Sequence, residues 1–430
     1  MNKKTNFYIV LVVFSLIGQV AWVVENMYFN VFIYKMFNAS TSDISLMVSL
    51  SAVTATVTTL FIGALSDKVG KRKIFICGGY IVWGVTILSF SLIRLDVINA
   101  LFPMAASASA VGVALVIIMD CVMTFFGSSA NDACFNAWLT ESVPSSDRGK
   151  VEGINSMMPL VAILVVFGGF MSFDLNLSKS WTVIFIIIGI VVLLIGVLGI
   201  FLIEDVAVKN EENSEYFKNI FYGFRPSVVK ENKNLYLYLI LFAVFGISIQ
   251  IFMPYLIIYY EVSLQMTNYV LVMAPAIILA SVFTFFYGRV HDKIGFDKSS
   301  AIALGVLCVG YILLIAFTNV PLVFIGSLFM MCGYLSGMAV FGAVIRDKIP
   351  ENKAGMFQGL RIICQVLIPG LIGPWIGDLV LKNAKTIVNN DGTTSFVPNA
   401  NVFIAALVVA VIVEILFAVI WILRKKKETK

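Results

Sequence analysis

Charged residues make up only 13% of the 430 residues, whereas a soluble globular chain carries about a quarter. That shortage comes with 60% hydrophobic residues. It excludes an ordinary soluble fold, because domains of this size keep much of their surface in water. It excludes disorder as well, which needs low hydrophobicity and high charge. Histidine is nearly missing, with His291 the only one. The six cysteines (Cys77, Cys121, Cys134, Cys308, Cys332 and Cys364) stand apart in apolar runs without a CxxC spacing. They read as small buried hydrophobes, not as a disulfide framework or a zinc site. The chain has no GxxxxGK[ST] phosphate loop, no histidine-based metal cluster and no nucleophile elbow. An enzyme is therefore disfavoured, no metal or cofactor is expected, and nothing reads as a nucleic-acid module.

What is present is a series of apolar stretches about 20 residues long, the helical signature in lipid. Twelve are expected, at 7–34, 44–65, 74–93, 108–140, 151–173, 180–203, 233–260, 267–289, 299–317, 321–345, 355–380 and 401–423. The fold class that follows is all-α integral membrane. The first stretch is too long for a cleaved signal, and no small-residue cleavage site follows it. Basic residues near span ends favour the cytoplasmic side. With both termini inside, 24 of the 30 Lys and Arg residues fall on that side, 5 fall outside, and Arg361 lies within a span. The net charge of +5 is thus an orientation signal, and the expected location is the plasma membrane of a prokaryote.

The polar stretch at 204–232 separates six spans from six. The expected organisation is an N-terminal half at 1–205, a cytoplasmic linker at 206–232 and a C-terminal half at 233–430. Tyr216, Phe217, Phe221 and Tyr222 interleave with polar residues in the linker, a pattern that suits an interfacial helix. The outer segments at 94–107 and 381–400 have ordinary loop composition.

Two local matches relate the halves. Gly63-Ala-Leu-Ser-Asp67-Lys68-Val-Gly70-Lys-Arg-Lys73 follows the second span, and Gly288-Arg-Val-His-Asp292-Lys293-Ile-Gly295-Phe-Asp-Lys298 follows the eighth. Pro144-Ser-Ser-Asp-Arg148-Gly149-Lys-Val-Glu152-Gly153 after the fourth span answers Pro350-Glu-Asn-Lys-Ala354-Gly355-Met-Phe-Gln-Gly359 after the tenth. Repeated halves are the construction of alternating-access transporters. GALSDKVGKRK resembles the cytoplasmic loop signature of the major facilitator superfamily, and the resemblance covers essentially the whole chain. Within that superfamily, Ser15 to Phe37 and the segment MTFFGSSANDACFNAWLTE are similar to the glycoside–pentoside–hexuronide:cation symporter group. That group usually carries two carboxylates on the second span. This chain has Ala55 and Thr59 there, which puts sodium coupling by the familiar route in doubt.

The resemblance implies two pseudo-symmetric six-helix halves, with spans one, four, seven and ten lining a cavity. It implies a conformational latch in which Asp67 docks against the start of span eleven. The latch set is Gly63, Asp67, Lys68, Gly70, Arg148 and Glu152, with Gly288, Asp292, Lys293 and Gly295 in the second copy. Arg148 is a candidate partner for Asp67 or Glu152, and Gly63 and Gly70 allow close approach and tight turning. Solvated loop charges that only set topology are the plainer alternative.

Polar groups inside the spans carry the functional information, because an ionisable side chain in hydrocarbon is costly and rarely faces lipid. At 3.6 residues per turn, Trp22, Glu25 or Asn26, and Phe29 fall on one stripe of span one, with Asn30 close by. An aromatic beside a carboxylate suits a sugar, and an interhelical hydrogen bond for packing is the rival reading. On span four, Asp120, Thr124, Gly127 and Asn131 fall within about 40° of one another, while Asp132, with Ser128 and Asn136, points about 100° away. A gating or structural ion pair rivals solute contact for Asp132. The second half adds Gln250 and Tyr255 on span seven, Tyr334 on span ten and Arg361 on span eleven. Arg361 should pair with a buried acid or snorkel. The glycines and prolines from Pro369 to Asp378 mark span eleven as a bending candidate, or else permit close packing.

The expected function is secondary active transport of a small polar solute, a sugar or glycoside, in a lipid bilayer. Glu25, Asp120 and Asp132 are the candidates for coupling. Proton coupling is favoured over sodium, because a single protonatable carboxylate needs no cage of ligands. An efflux pump for amphipathic compounds, a sodium-coupled sugar symporter and a non-transporting receptor are the other readings. Solute identity, direction and oligomeric state stay open, with a monomer allowed.

Overall fold

The computed structural model describes residues 3–143, 147–205, 222–349, 354–389 and 392–428. Among them, eleven helices are long and apolar enough to cross a membrane. The longest, Val270–Ala316, is two spans in one, since Gly295 interrupts it with φ 76° and ψ 173°. The twelve expected spans are therefore present. The backbone conformation at Gly295 is one that only glycine adopts readily. Gly70, its counterpart in the first copy, also has positive φ (70°), and its N–H closes the second span on Ser66 O at 2.9 Å. The repeated loop thus uses its second glycine to turn the chain in both halves. Its first glycine behaves otherwise. A Cβ placed on Gly63 or Gly288 would meet nothing within 4 Å, so neither is needed for close approach among the described residues.

The chain divides into two compact units, Met1–Lys218 with Val388–Ser395, and Asn219–Ile387 with Phe396–Lys430. In the first, span one (Thr5–Phe37), span two (Thr41–Val69), span three (Arg72–Phe90), span four (Ala108–Leu139), span five (Gly153–Phe170) and span six (Ser178–Leu202) form a helical bundle. Span two starts at a reciprocal cap, with Asp43 N–H donating to Ser40 Oγ at 3.2 Å and Ser40 N–H to Asp43 Oδ2 at 2.8 Å. Such a cap satisfies amide donors that the first turn of a helix leaves open. Residues 388–395 join this unit through Asn389 Nδ2, which donates to Asn38 Oδ1 at 2.9 Å, and through Thr393 Oγ1, which accepts from Asn38 Nδ2 at 2.8 Å.

Spans three and six approach at small residues, the usual way for helices to associate in lipid. A Cβ on Gly84 would stand 2.5 Å from Leu193 N and 2.7 Å from Gly189 O, both backbone atoms. Gly84→Val is therefore expected to force the two spans apart and to cost about 2 kcal/mol or more. Gly78→Ala, one helical face away with open space at its Cβ, should leave stability unchanged. Thermal unfolding of the two variants in one detergent checks the pair, and equal melting temperatures would disprove the packing role of Gly84.

The second unit holds span seven (Lys233–Ser263), the two spans of Val270–Ala316, span ten (Val320–Lys348), span eleven (Gly359–Leu381) and span twelve (Asn401–Ile420). Here the glycines of span eleven serve close packing. A Cβ on Gly373 would lie 2.5 Å from Gln250 Cβ, and one on Gly377 would lie 2.6 Å from the Tyr255 ring and from Ile251 O.

Two connecting segments are more ordered than their composition suggested. A helix, Leu95–Leu101, occupies the segment at 94–107. A two-stranded ribbon, Thr386–Val388 with Thr394–Phe396, occupies the segment at 381–400. Of the residues expected in an interfacial helix, Tyr216, Phe217 and Phe221 lie outside the described residues. Tyr222 begins a single tight turn ending at Phe224, followed by the short helix Pro226–Glu231.

A candidate binding site in the first unit

Spans one and four are not regular helices. Each widens by one residue per turn, span one over Val24–Tyr28 and span four over Ser128–Phe135. Such π-helical turns shift the register of everything beyond them and gather at functional sites. Glu25 sits in the first of them and Asp132 in the second.

Glu25 is buried, with 6% of its surface exposed. Its Oε1 accepts hydrogen bonds from Ser51 Oγ of span two at 2.7 Å and from Thr124 Oγ1 of span four at 2.9 Å. The two hydroxyls also touch each other at 2.9 Å. Oε2 of the same carboxyl has no hydrogen-bond partner. Asp120, one turn before Thr124 on span four, is only 1% exposed and its Oδ1 is likewise without a partner. Glu25 interacts electrostatically with both Asp120 and Asp132. The three acids therefore face one region.

Asp132 and Glu25 lie within electrostatic reach of each other, although an ideal-helix wheel turns Asp132 about 100° from Asp120. Asn131 faces span one, as Thr124 does seven residues earlier: it accepts from Tyr80 Oη of span three at 3.0 Å, and its carboxamide stands 2.7 Å from the place a Cβ on Gly18 would take. Asn131 is a packing residue between spans one, three and four. Trp22 and Phe29 of the expected stripe on span one both pack on span three. Phe29 packs on Phe90 and Phe185, with ring centroids at 4.7 and 5.5 Å, in the core of the unit.

Trp22 lies against Trp83, with centroids 5.1 Å apart, and beside Asp132. Its Nε1 has no partner in hydrogen-bonding geometry. Asn26 is exposed and donates to Trp22 O at 2.8 Å. Asn30 is fully buried, donates to Asn26 O at 3.0 Å, and keeps an unpartnered Oδ1. Asn136 is drawn away from the acids, accepting from Asn155 of span five at 3.4 Å.

A second polar group lies where spans two, three and four meet at their ends. Arg72, with only 4% of its side chain exposed, pairs with Asp67 and with Glu141. Its Nε and Nη2 donate to the two Glu141 oxygens at 3.2 and 2.7 Å, and Nη1 donates to Ser66 Oγ. Asp67 thus has Arg72 as its partner. The side chain of Arg148, the expected partner of Asp67 or Glu152, and that of Glu152 lie outside the described residues. Lys68 is exposed, as are Asp292 and Lys293 of the second copy.

Sequence reasoning missed Ser51, Arg72 and Glu141. The signal for Ser51 was the run of Ser and Thr along span two, from Ser45 to Thr59. Glu141 closes the segment MTFFGSSANDACFNAWLTE, and Arg72 was hidden among four basic residues that read alike.

In the second unit, Gln250 is half-buried against Gly373, and Tyr255 is buried with its ring 6.1 Å from that of Phe396. Tyr334 is half-buried near Tyr311, and Arg361 is half-buried on the helix Ala354–Ile362. An open groove of about 450 Å³ in the first unit, lined by Phe37, Asp43, Leu46, Ser107 and Ile118 among others, does not reach Glu25, Asp120 or Asp132.

Comparison with known proteins gives one family. The sequence profile of the Major Facilitator Superfamily matches residues 9–374 and 270–430. No curated protein sequence matches the chain. Among solved structures, the nucleoside transporter NupG is similar with a TM-score of 0.68 at 13% identity, over 98% of this chain and 99% of that one. The xylose transporter XylE from E. coli, in an inward-open conformation, gives 0.69 at 15% identity, over 96% and 95%. A bacterial homologue of the human lysosomal transporter Spinster, inward-facing and occupied, gives 0.68 at 14% identity, over 96% of each chain. At these identities the likeness is one of fold.

Proposed function

The chain belongs to the major facilitator superfamily, and from that premise we propose that it accumulates a sugar-like solute by proton-coupled alternating access. It is a multi-pass integral membrane protein and a transporter, not an enzyme, and it moves a small solute across the bilayer. The finer reading rests on one observation above the others. Glu25 is a buried carboxyl held on one oxygen by Ser51 and Thr124 and bare on the other. Such a group can take up and release a proton as its surroundings change between states, without the ligand cage a sodium ion needs. Trp22, Asn26, Asn30 and Asp132 around it, with Asp120, offer the aromatic and polar contacts a hydroxylated solute uses. Asn131, which donates to Asp132 Oδ1 at 3.4 Å, and Asn136 are proposed to position span four. Gln250, Tyr255, Tyr334 and Arg361 are proposed as the contribution of the second unit.

The sugar class draws further support from the two stretches resembling the glycoside–pentoside–hexuronide:cation group, and from the nucleoside and xylose transporters that share the fold. The excess of Lys and Arg on alternate loops supports cytoplasmic termini in a prokaryotic plasma membrane. The Asp67–Arg72–Glu141 group is proposed to bias the equilibrium between the two access states, with Lys68, Arg148, Glu152 and the second-copy residues Asp292 and Lys293 as its outer members.

The test is uptake of a sugar panel into proteoliposomes under an imposed pH gradient, an imposed sodium gradient, or neither, at fixed membrane potential. Accumulation driven by the pH gradient is expected. Accumulation with sodium alone, and no response to pH, would overturn proton coupling.

A further inference from the structure

Among its described residues, the first unit places three acids within its spans and no base beside them. Every Lys and Arg in those spans (Lys35, Lys68, Arg72, Lys73 and Lys179) lies within two residues of a span end. Arg72, the buried one, is taken by Asp67 and Glu141. Among the described residues of this unit, no Lys or Arg side chain therefore stands with buried Glu25 and Asp120 or half-buried Asp132. Buried charges of one sign are costly unless something neutralises them. If Glu25 carries the coupling proton, two carboxylates remain.

The unit also keeps polar atoms that point to a ligand. Glu25 Oε2 and Asp120 Oδ1 are acceptors without donors, on side chains 6% and 1% exposed. Asn30 Oδ1, on a fully buried side chain, adds an unused acceptor.

We propose that the transported solute carries a protonated amine, which docks on the bare oxygen of Asp120, with hydroxyls that meet Trp22 and Asn30. An ammonium group brings one positive charge and three donors to acceptors that have none. A neutral sugar brings donors but leaves both remaining carboxylates without a counter-charge, whereas an amine matches the one at Asp120. The ligand class is thus an amino sugar or a similar hydroxylated amine. The inference rests on the transport reading above and adds the charge of the solute to it.

The probes are matched pairs: glucosamine with glucose and N-acetylglucosamine, and galactosamine with galactose, each tested on the purified full chain by thermal shift and by proteoliposome uptake. The amine of at least one pair is expected to raise the melting temperature and to bind at least ten-fold tighter than its neutral partners, since binding to the folded state raises apparent stability. Asp120→Asn should abolish that preference and Asp120→Glu should keep it. Equal or tighter binding of the neutral members, or no response to any amine, overturns the inference. So does neutral-sugar binding that appears only with added sodium or lithium, because the balancing charge is then an alkali ion. A neutral sugar accumulated under a pH gradient leaves the transport reading standing while this inference falls. Absence of gradient-driven uptake for every solute, with the amine preference still seen by thermal shift, removes the coupling and keeps the charge assignment.

Discussion

Glu25→Gln will abolish uphill accumulation while leaving the protein folded. Glutamine keeps the size of the side chain and an Oε1 for Ser51 and Thr124 to donate to, at the positions where they now stand 2.7 and 2.9 Å away. The change falls on Oε2, which has no partner to lose. Packing is therefore retained, and the melting temperature should stay close to that of the parent. What disappears is the capacity to bind and release a proton. A carrier without its coupling group still exchanges solute, so counterflow should persist while a pH gradient drives the inside concentration no higher than the outside. Glu25→Asp should be intermediate, because a shortened carboxylate still titrates but draws back from both hydroxyls. The measurement is solute accumulation under a fixed pH gradient beside counterflow in the same vesicles. Full accumulation by a folded Glu25→Gln protein would remove Glu25 from the coupling site. Loss of both activities would make it a solute ligand first.

The second large effect is expected at Glu141. Arg72 is nearly sealed off, with 4% of its side chain exposed, whereas Asp67 and Glu141 keep 25% and 30%. Removing an acid leaves the guanidinium buried with part of its bonding gone, which is the costly direction for a buried pair. Glu141 holds Arg72 through two hydrogen bonds at 2.7 and 3.2 Å, so Glu141→Ala should cost about 3 kcal/mol. Asp67→Asn should cost less, since an amide oxygen can still accept. If the group also biases the access states, Asp67→Asn will alter turnover with little change in solute affinity, once the shift in state populations is allowed for. The double variant Arg72→Met/Glu141→Leu, which removes charge and counter-charge together, should recover much of the stability lost in Glu141→Ala. Thermal unfolding resolves the stability series, and cysteine accessibility at the loop resolves the state bias. A double variant no more stable than Glu141→Ala would show that Arg72 and Glu141 do not act as a pair.

The sequence by itself determined the membrane class, the twelve spans and the repeated loops, because each rests on local composition. About 20 apolar residues in a row have few other solutions in lipid, and a glycine that turns the chain at Gly70 and Gly295 does so from its own backbone freedom. The same reading picked out Glu25, Asp120 and Asp132, since an acid in an apolar run stands out whatever its partners. Only the tertiary structure decided which of them meet. The wheel assumed 3.6 residues per turn and showed neither the widened turns at Val24–Tyr28 and Ser128–Phe135 nor that Phe29 packs in the aromatic core, Asn131 on Tyr80 and Asp132 within electrostatic reach of Glu25. An inserted residue leaves no trace in composition, because its hydrogen bond is chosen by what the neighbouring spans demand. Ser51 and Glu141 were out of reach for a related reason. Each matters through a partner far along the chain, 26 residues to Glu25 in one case and 69 to Arg72 in the other, and only the packing of the spans brings such partners within a hydrogen bond.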